Sequence, residues 1–115
     1  MLKGAGTVIV GTDIVRTGIE SADSETEQQR VSIVCDGNPA LAVAGSGDVL
    51  AGLIAGLLAQ SDTSHRLFDI VEAAVCLHAH AGDRYALKYG EVGMLATEIL
   101  DEVKMIFAEN LVSIA

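Results

Sequence analysis

Apolar residues along the chain predict two short strands ahead of a helical region. Residues 7–10 and 31–35 are runs rich in β-branched side chains, which are typical of strands. Residues 12–30, which lie mostly between these runs, predict a long loop. The polar part of that loop, residues 21–30, carries three acids and two glutamines, so we expect it to be mobile.

The first predicted helix has no polar face. Its larger apolar residues recur at helical spacing, and the opposite face consists of alanines and glycines, including a Gly-x-x-x-Gly pair at Gly52 and Gly56. A helix that is apolar all round is buried, so we expect other backbones to pack closely against it. The larger apolar residues are Val49, Leu50, Leu53, Ile54, Leu57 and Leu58.

Two amphipathic helices follow. The second is predicted to end near residue 89, with Gly90 as its C-cap. The third carries Glu98, Asp101 and Glu102 on the side that we expect to face water. Two strands followed by three helices are typical of part of an α/β or α+β fold. The apolar stripes are Leu67, Ile70, Val71, Ala74, Val75, His78 and Ala81 in the second helix, and Val92, Leu95, Ile99, Val103 and Ile106 in the third.

Length, composition and charge exclude several classes of protein. The chain has 115 residues, 50% of them hydrophobic, which suits one small domain. A net charge of −9 would repel nucleic acid, and two Tyr and two Phe offer few stacking platforms. Two cysteines without metal-ligand spacing fit a reduced compartment. The uncharged stretch at residues 49–61 is shorter than the about 20 residues of a membrane span. We therefore expect a cytoplasmic protein without nucleic-acid or membrane partners.

Glycines and small residues run directly into the start of the first helix. The backbone N–H groups of Gly45, Ser46 and Gly47, with the positive end of the helix dipole behind them, would point at a ligand in front of this turn. Glycine lets a phosphate approach the backbone because no Cβ intervenes. Asp48 lies in the first turn and would project toward the same point. Its alternative role is to cap the helix.

A second glycine-rich segment precedes the first strand. It consists of Lys3, Gly4, Ala5, Gly6 and Thr7, so that a lysine lies beside two glycines. This arrangement can set a positive charge and bare backbone against a nucleotide phosphate, although it lacks the spacing of a P-loop. The alternative is an ordinary turn at a sheet edge. Both segments together favour a phosphate-binding site.

Four blocks of the sequence resemble the NAD(P)H-hydrate dehydratases of the ribokinase-like superfamily. They are residues 2–7, residues 37–52 with their Gly-Asn-Pro and Gly-Ser-Gly-Asp-Val-Leu-Ala-Gly parts, residues 77–83, and residues 93–98. The resemblance implies an α/β fold, in which residues 1–115 are the C-terminal portion of a three-layer domain: a short strand pair followed by three helices. It departs from the family in the length of the 12–30 loop and at Cys35, where a small hydroxyl residue is common.

The resemblance also implies an activity, the nucleotide-dependent dehydration of NADH or NADPH hydrate. ADP or ATP phosphorylates the ring hydroxyl, and phosphate then leaves. Asp48 would contact the substrate and act as the catalytic base, and the N–H groups of Gly45, Ser46 and Gly47 would hold the phosphoryl group. The block from Lys3 through Gly4, Ala5 and Gly6 to Thr7 would hold the nucleotide phosphates. Mg²⁺ is expected as the counter-charge, and the Gly-Ser-Gly-Asp-Val-Leu form is closer to the bacterial, ADP-using type.

Two other functions fit the same residues. A ribokinase-like kinase for a small alcohol would use the same Asp48 base, and a non-catalytic nucleotide-binding remnant would retain the motifs by descent. Among the remaining polar residues, we expect His78 to be a hydrogen-bonded packing residue, whereas Asp83 is either a supporting residue or a solvated charge. The apolar first helix predicts a homo-oligomer, or association with an N-terminal part of the domain.

Overall fold

A computed structural model describes residues 6–16, 25–62 and 67–114, with side chains at 6–12, 27–62 and 67–110. Strands β1 (Thr7–Arg16) and β2 (Glu25–Val34) form an antiparallel hairpin ladder. A 3-10 turn, Pro39–Leu41, leads to helix α1 (Ser46–Gln60). Helices α2 (Leu67–Tyr89) and α3 (Ala96–Ile114) complete the order. The α/β composition and the sequence of two strands and three helices are as predicted.

The two strands are longer than their apolar runs. The ladder continues from the Thr7–Val34 pair to the Arg16–Glu25 pair, so residues 12–16 and 25–30 are strand. The expectation of a loop over 12–30 is therefore wrong at these positions, whereas the mobility expected for residues 21–30 stays a prediction. Residues 17–24 lie outside the described residues. The polar residues of β2 gave no apolar signal, yet their backbone groups pair with β1. Arg30 also fixes this part of β2 to α2, because its Nη1 donates to Asp69 Oδ1 at 2.8 Å.

Helix α2 is the central element of the packing, because it contributes to both hydrophobic clusters. The cluster against the hairpin contains Ile9, Val34, Leu50, Phe68, Val75 and Ala79, and the cluster against α3 contains Ala40, Ala81, Tyr85, Met94, Ile99 and Val103. Gly82 permits close contact with the 3-10 turn, since a Cβ there would lie 2.5 Å from Leu41 Cγ. Helix α2 thus sets the positions of the hairpin, the turn and α3.

Helix α1 is less buried than its composition predicted. Only Ser46 and Leu50 are buried, and the alanine and glycine face is largely open. A Cβ added at Gly52 or Gly56 would meet nothing within 4 Å, so the expected close backbone approach is wrong for the described residues. The reason is that α2 and α3 cover one side of α1 and leave the small-residue side uncovered.

The predicted end of α2 is confirmed, whereas the predicted polar side of α3 is wrong at one residue. Gly90 ends α2 as expected, with φ +86° and its N–H donating to Ala86 O at 2.8 Å. Helix α3 begins after Leu95, whose N–H donates to the Glu98 carboxylate at 2.7 Å. Glu102 is 6% exposed, so its placement on the wet side is wrong. Arg84 and Lys88 of α2 bind its carboxylate, which allows burial.

None of the described helices combines the length and the apolar character that crossing a membrane requires.

Candidate functional site

The glycine-rich segment forms a helix start with unused donors. Gly45 is the N-cap of α1 and adopts a left-handed conformation with φ +86°, which a side chain would strain. The Ser46 N–H donates to Val43 O at 3.2 Å, whereas no hydrogen bond to a described residue uses the N–H groups of Gly47 and Asp48. Of the predicted donor set, the N–H groups of Gly45 and Gly47 therefore have no described hydrogen-bond partner, and Asp48 adds a third such N–H.

Asp48 extends from this helix start into solvent. Its side chain is exposed, and within the described part of the chain its carboxylate accepts no hydrogen bond and does not cap α1. It lies at a groove of about 620 Å³ between α1 and α3, whose lining also includes Gly52, Gly56, Leu100 and Phe107. Asp48 is the one charged residue among the described lining residues of this groove.

Ser46 is bound to α2 through a buried contact with His78. Ser46 and His78 are 2% and 3% exposed, and His78 Nε2 lies 3.0 Å from Ser46 O and 3.3 Å from Ser46 Oγ. With the proton on Nε2, His78 donates to the Ser46 carbonyl. This confirms the expectation that His78 is a hydrogen-bonded packing residue. His80, two residues on, is exposed on a different side of α2.

A cavity of about 540 Å³ opens on the other side of the α1 start. Thr7 at the beginning of β1 contributes to one wall, and the turn from Asp36 to Ala42 forms another. Leu50 and His78 also line the cavity. Gly6 lies against β2, since a Cβ there would be 3.4 Å from Val34 O. Lys3, Gly4 and Ala5 lie outside the described residues.

The structure brings some of the predicted residues together and separates others. Thr7 lines the 540 Å³ cavity, while Asp48 lines the 620 Å³ groove. Leu50 lines the first and Val49 the second, so the start of α1 is the partition between the two concavities. The N–H groups of Gly47 and Asp48, which no described residue uses, lie at the N-terminal end of this helix.

Asp83 is a site residue whose role the sequence left open. Its Oδ2 accepts from Gly37 N at 3.1 Å and its Oδ1 from Asn38 Nδ2 at 2.8 Å. The carboxylate therefore supports the turn on the wall of the 540 Å³ cavity and is not a solvated charge. The sequence signal was its place in the Ala-Gly-Asp of the third resembling block, which does not name a partner.

Comparison with known proteins agrees with these motifs. The family model described as NAD(P)H-hydrate dehydratase matches residues 1–105. Bifunctional NAD(P)H-hydrate repair enzymes are similar to the chain: that of Coxiella burnetii is 34% identical over 106 residues, covering 92% of this chain and 18% of the enzyme. That of Moorella thermoacetica is 41% identical over 103 residues, covering 88% and 16%. That of Leishmania major is 35% identical over 108 residues, covering 92% and 16%.

The chain therefore spans less than a fifth of the length of these curated relatives. No solved structure shows a significant match to it.

Proposed function

Because the chain belongs to the NAD(P)H-hydrate dehydratase family, we propose that it takes part in nucleotide-dependent repair of NADH or NADPH hydrate. The nucleotide phosphorylates the ring hydroxyl of the hydrate. The resulting phosphate then leaves with its C–O bond electrons, and loss of a proton from the neighbouring carbon restores the dihydronicotinamide. The observation that carries the proposal is the free Asp48 carboxylate beside the unused N–H groups of Gly47 and Asp48.

Asp48 is the proposed general base. As the ring hydroxyl oxygen bonds to the terminal phosphorus of the nucleotide, its proton passes to the Asp48 carboxylate, and the bridging P–O bond breaks. A positioned general base contributes about 10²–10⁴-fold to such a step. The N–H groups at Gly47 and Asp48 would stabilise the charge on the phosphoryl oxygens, with Gly45 and Ser46 shaping the turn.

The nucleotide phosphates are proposed to lie along the block from Lys3 to Thr7. Thr7 lines the 540 Å³ cavity, and the helix start that forms the partition is next to it. A nucleotide in this cavity would present its terminal phosphate to the N-terminus of α1, in front of Asp48. We propose ADP as the donor on the Gly-Ser-Gly-Asp-Val-Leu form, with ATP as the alternative.

Magnesium fits this site as a companion of the nucleotide. Among the described residues, no group of three or more His, Cys, Asp or Glu could hold a metal ion by itself. Mg²⁺ is commonly held by phosphates and one or two carboxylates, and Asp48 or Asp36 at the two concavities would supply a carboxylate. When bound, the ion would neutralise phosphate charge in a chain with a net charge of −9.

The same proposal covers the fold and the surroundings of the chain. We propose the ribokinase-like three-layer domain, of which residues 1–115 form the C-terminal portion. The open face of α1 supports association, either with a second copy or with an N-terminal part of that domain. Two free cysteines, Cys35 and Cys76, support a reducing, cytoplasmic location, and the acidic charge disfavours nucleic acid.

Turnover of NADH hydrate tests the proposal. The purified chain, and the longest reading frame that contains it, are each assayed with ADP and with ATP by the recovery of NADH absorbance. We expect the longer protein to restore NADH in the presence of ADP, and the 115-residue chain to be a weaker enzyme. Phosphorylation of small alcohols without turnover of the hydrate would establish the kinase alternative. Nucleotide binding without any turnover would establish a non-catalytic remnant.

A further inference from the structure

The wall of the 540 Å³ cavity formed by residues 36–42 is an irregular stretch of backbone. Gly37 has φ +110°, Asn38 is extended, and only residues Pro39–Leu41 form a single 3-10 turn. Such a segment has few backbone hydrogen bonds of its own, namely Leu41 N to Asn38 O at 3.1 Å and Ala42 N to Pro39 O at 2.9 Å. Its position therefore depends on contacts with α2.

Those contacts come from the C-terminal half of α2. Asp83 uses both carboxylate oxygens, one for Gly37 N at 3.1 Å and the other for Asn38 Nδ2 at 2.8 Å. Asn38 uses both ends of its amide, since its Oδ1 accepts from Ala40 N at 2.9 Å. One carboxylate thus fixes two successive residues directly and a third through Asn38.

Gly82, the residue of α2 that precedes Asp83, also restrains the position of the turn. All three outer carbons of the Leu41 side chain lie 2.5–2.7 Å from where a Cβ at Gly82 would be, so the turn rests on the bare backbone of α2. Four residues separate Leu41 from Ser46, the first residue of α1. Any movement of the turn therefore reaches both the cavity wall and the start of α1.

We propose that Asp83 is a positioning residue for the nucleotide cavity, acting through Gly37 and Asn38. The proposal rests on the proposed function for the identity of the ligand, and on the hydrogen bonds for the mechanism. Asp83 does not touch the nucleotide. It holds the turn that forms one wall of the cavity in which the nucleotide is proposed to bind.

The chemistry of the pair allows a specific exchange of side chains. In Asp83→Asn, the new amide has one acceptor for two donors, so one hydrogen bond is lost. In Asn38→Asp, two carboxylates face each other. In the double variant N38D/D83N, the new amide nitrogen on α2 can donate to the new carboxylate in the turn, which can still accept from Ala40 N. The new amide oxygen on α2 can accept from Gly37 N. All the hydrogen bonds are then restored with the pair reversed and the net charge unchanged.

The experiment measures ADP affinity by calorimetry and hydrogen exchange of the Gly37 amide by NMR, on the full 115-residue chain. Asp101→Asn, on the exposed side of α3, is the control that removes the same charge. We expect D83N and N38D each to raise the Kd for ADP about tenfold, which is ~1.4 kcal/mol, and to speed Gly37 exchange. N38D/D83N should recover both quantities to near the parent, and D101N should change neither. An effect of net charge alone would lower the Kd for ADP in D83N, because removing a negative charge from the protein favours the binding of an anion.

The contradictory results are equally distinct. The proposal is overturned if D83N speeds Gly37 exchange but leaves ADP affinity unchanged, since Asp83 is then merely structural. It is also overturned if N38D/D83N recovers neither the parent's Kd for ADP nor its rate of Gly37 amide exchange. Should D83N fail to fold by circular dichroism, Asn38→Ala provides the same two readouts. If the parent chain binds no ADP, the proposed function fails for this chain, and Gly37 exchange alone decides whether Asp83 holds the wall.

Discussion

Replacing Glu102 by glutamine is expected to lower the free energy of unfolding by ~1.5–3 kcal/mol at about pH 7, the range for hydrogen bonds to a charged group. Glu102 is 6% exposed and joins α3 to α2. Lys88 Nζ donates to it at 2.8 and 3.0 Å, and Arg84 Nε donates at 3.3 Å. Glutamine keeps the shape but removes the charge and leaves one oxygen for these donors.

The pH dependence of this loss follows from the pKa of Glu102. Burial alone would raise this pKa, but the hydrogen bonds from Lys88 and Arg84 outweigh burial, so the pKa is lowered from its ordinary 4.5. A carboxyl with a lowered pKa stabilises the fold fully above the unfolded pKa and loses that effect as the pH falls through the folded pKa. The difference between parent and E102Q should therefore be constant from neutral pH to about pH 5 and shrink at lower pH.

Urea unfolding followed by circular dichroism, repeated across this pH range, measures the difference. Glu109→Gln is the matched control, because Glu109 also binds Arg84, at 2.7 Å, but its side chain is 53% exposed. We expect E109Q to lose much less stability than E102Q, since water screens an exposed pair. Equal losses for the two variants, or an E102Q difference that does not shrink in acid, would refute the reasoning.

Two further predictions concern packing. Gly82→Ala should destabilise the fold by ~1–3 kcal/mol through overpacking, because its Cβ would overlap Leu41. Gly52→Ala should be neutral or stabilising, because the space around Gly52 is open. Urea unfolding of both variants measures the difference, and equal effects on stability would contradict the prediction. The groove between α1 and α3 leaves Leu100 46% and Phe107 47% exposed, so the chain should self-associate in light scattering and Phe107→Glu should reduce the association. A parent chain that stays monomeric at the highest concentration reached would argue against this.

The helices were predictable because their signals are local. The apolar stripe and Gly90 located α2 and its end, and the glycine-rich segment located the start of α1. His78 was predicted as a bonded packing residue because a histidine on an apolar stripe has to satisfy its nitrogens.

The missed features depend on partners distant in sequence. Residues 25–30 look like a polar loop until the backbone of β1 pairs with them. Glu102 looks solvated until Arg84 and Lys88, on another helix, neutralise it. Asp83 accepts hydrogen bonds from Gly37 and Asn38, which precede it in the sequence by 46 and 45 positions. The burial of α1 was overestimated because an apolar composition shows only that burial would be favourable. It does not show whether neighbouring elements cover each side of the helix, and the described ones leave the alanine and glycine side largely exposed.

Asp48 at the start of α1 is proposed to take the proton of the hydroxyl that becomes phosphorylated, and the whole mechanism depends on this step. The most direct measurement is NADH hydrate turnover with ADP in the longest reading frame that contains this chain, for the parent and for Asp48→Asn, with ADP affinity measured alongside. We expect turnover to fall about 10²–10⁴-fold, as for loss of a general base, while ADP affinity stays near the parent value. A variant that keeps more than about half of the parent's turnover would contradict the role of Asp48 as the base, since loss of a general base costs far more than that.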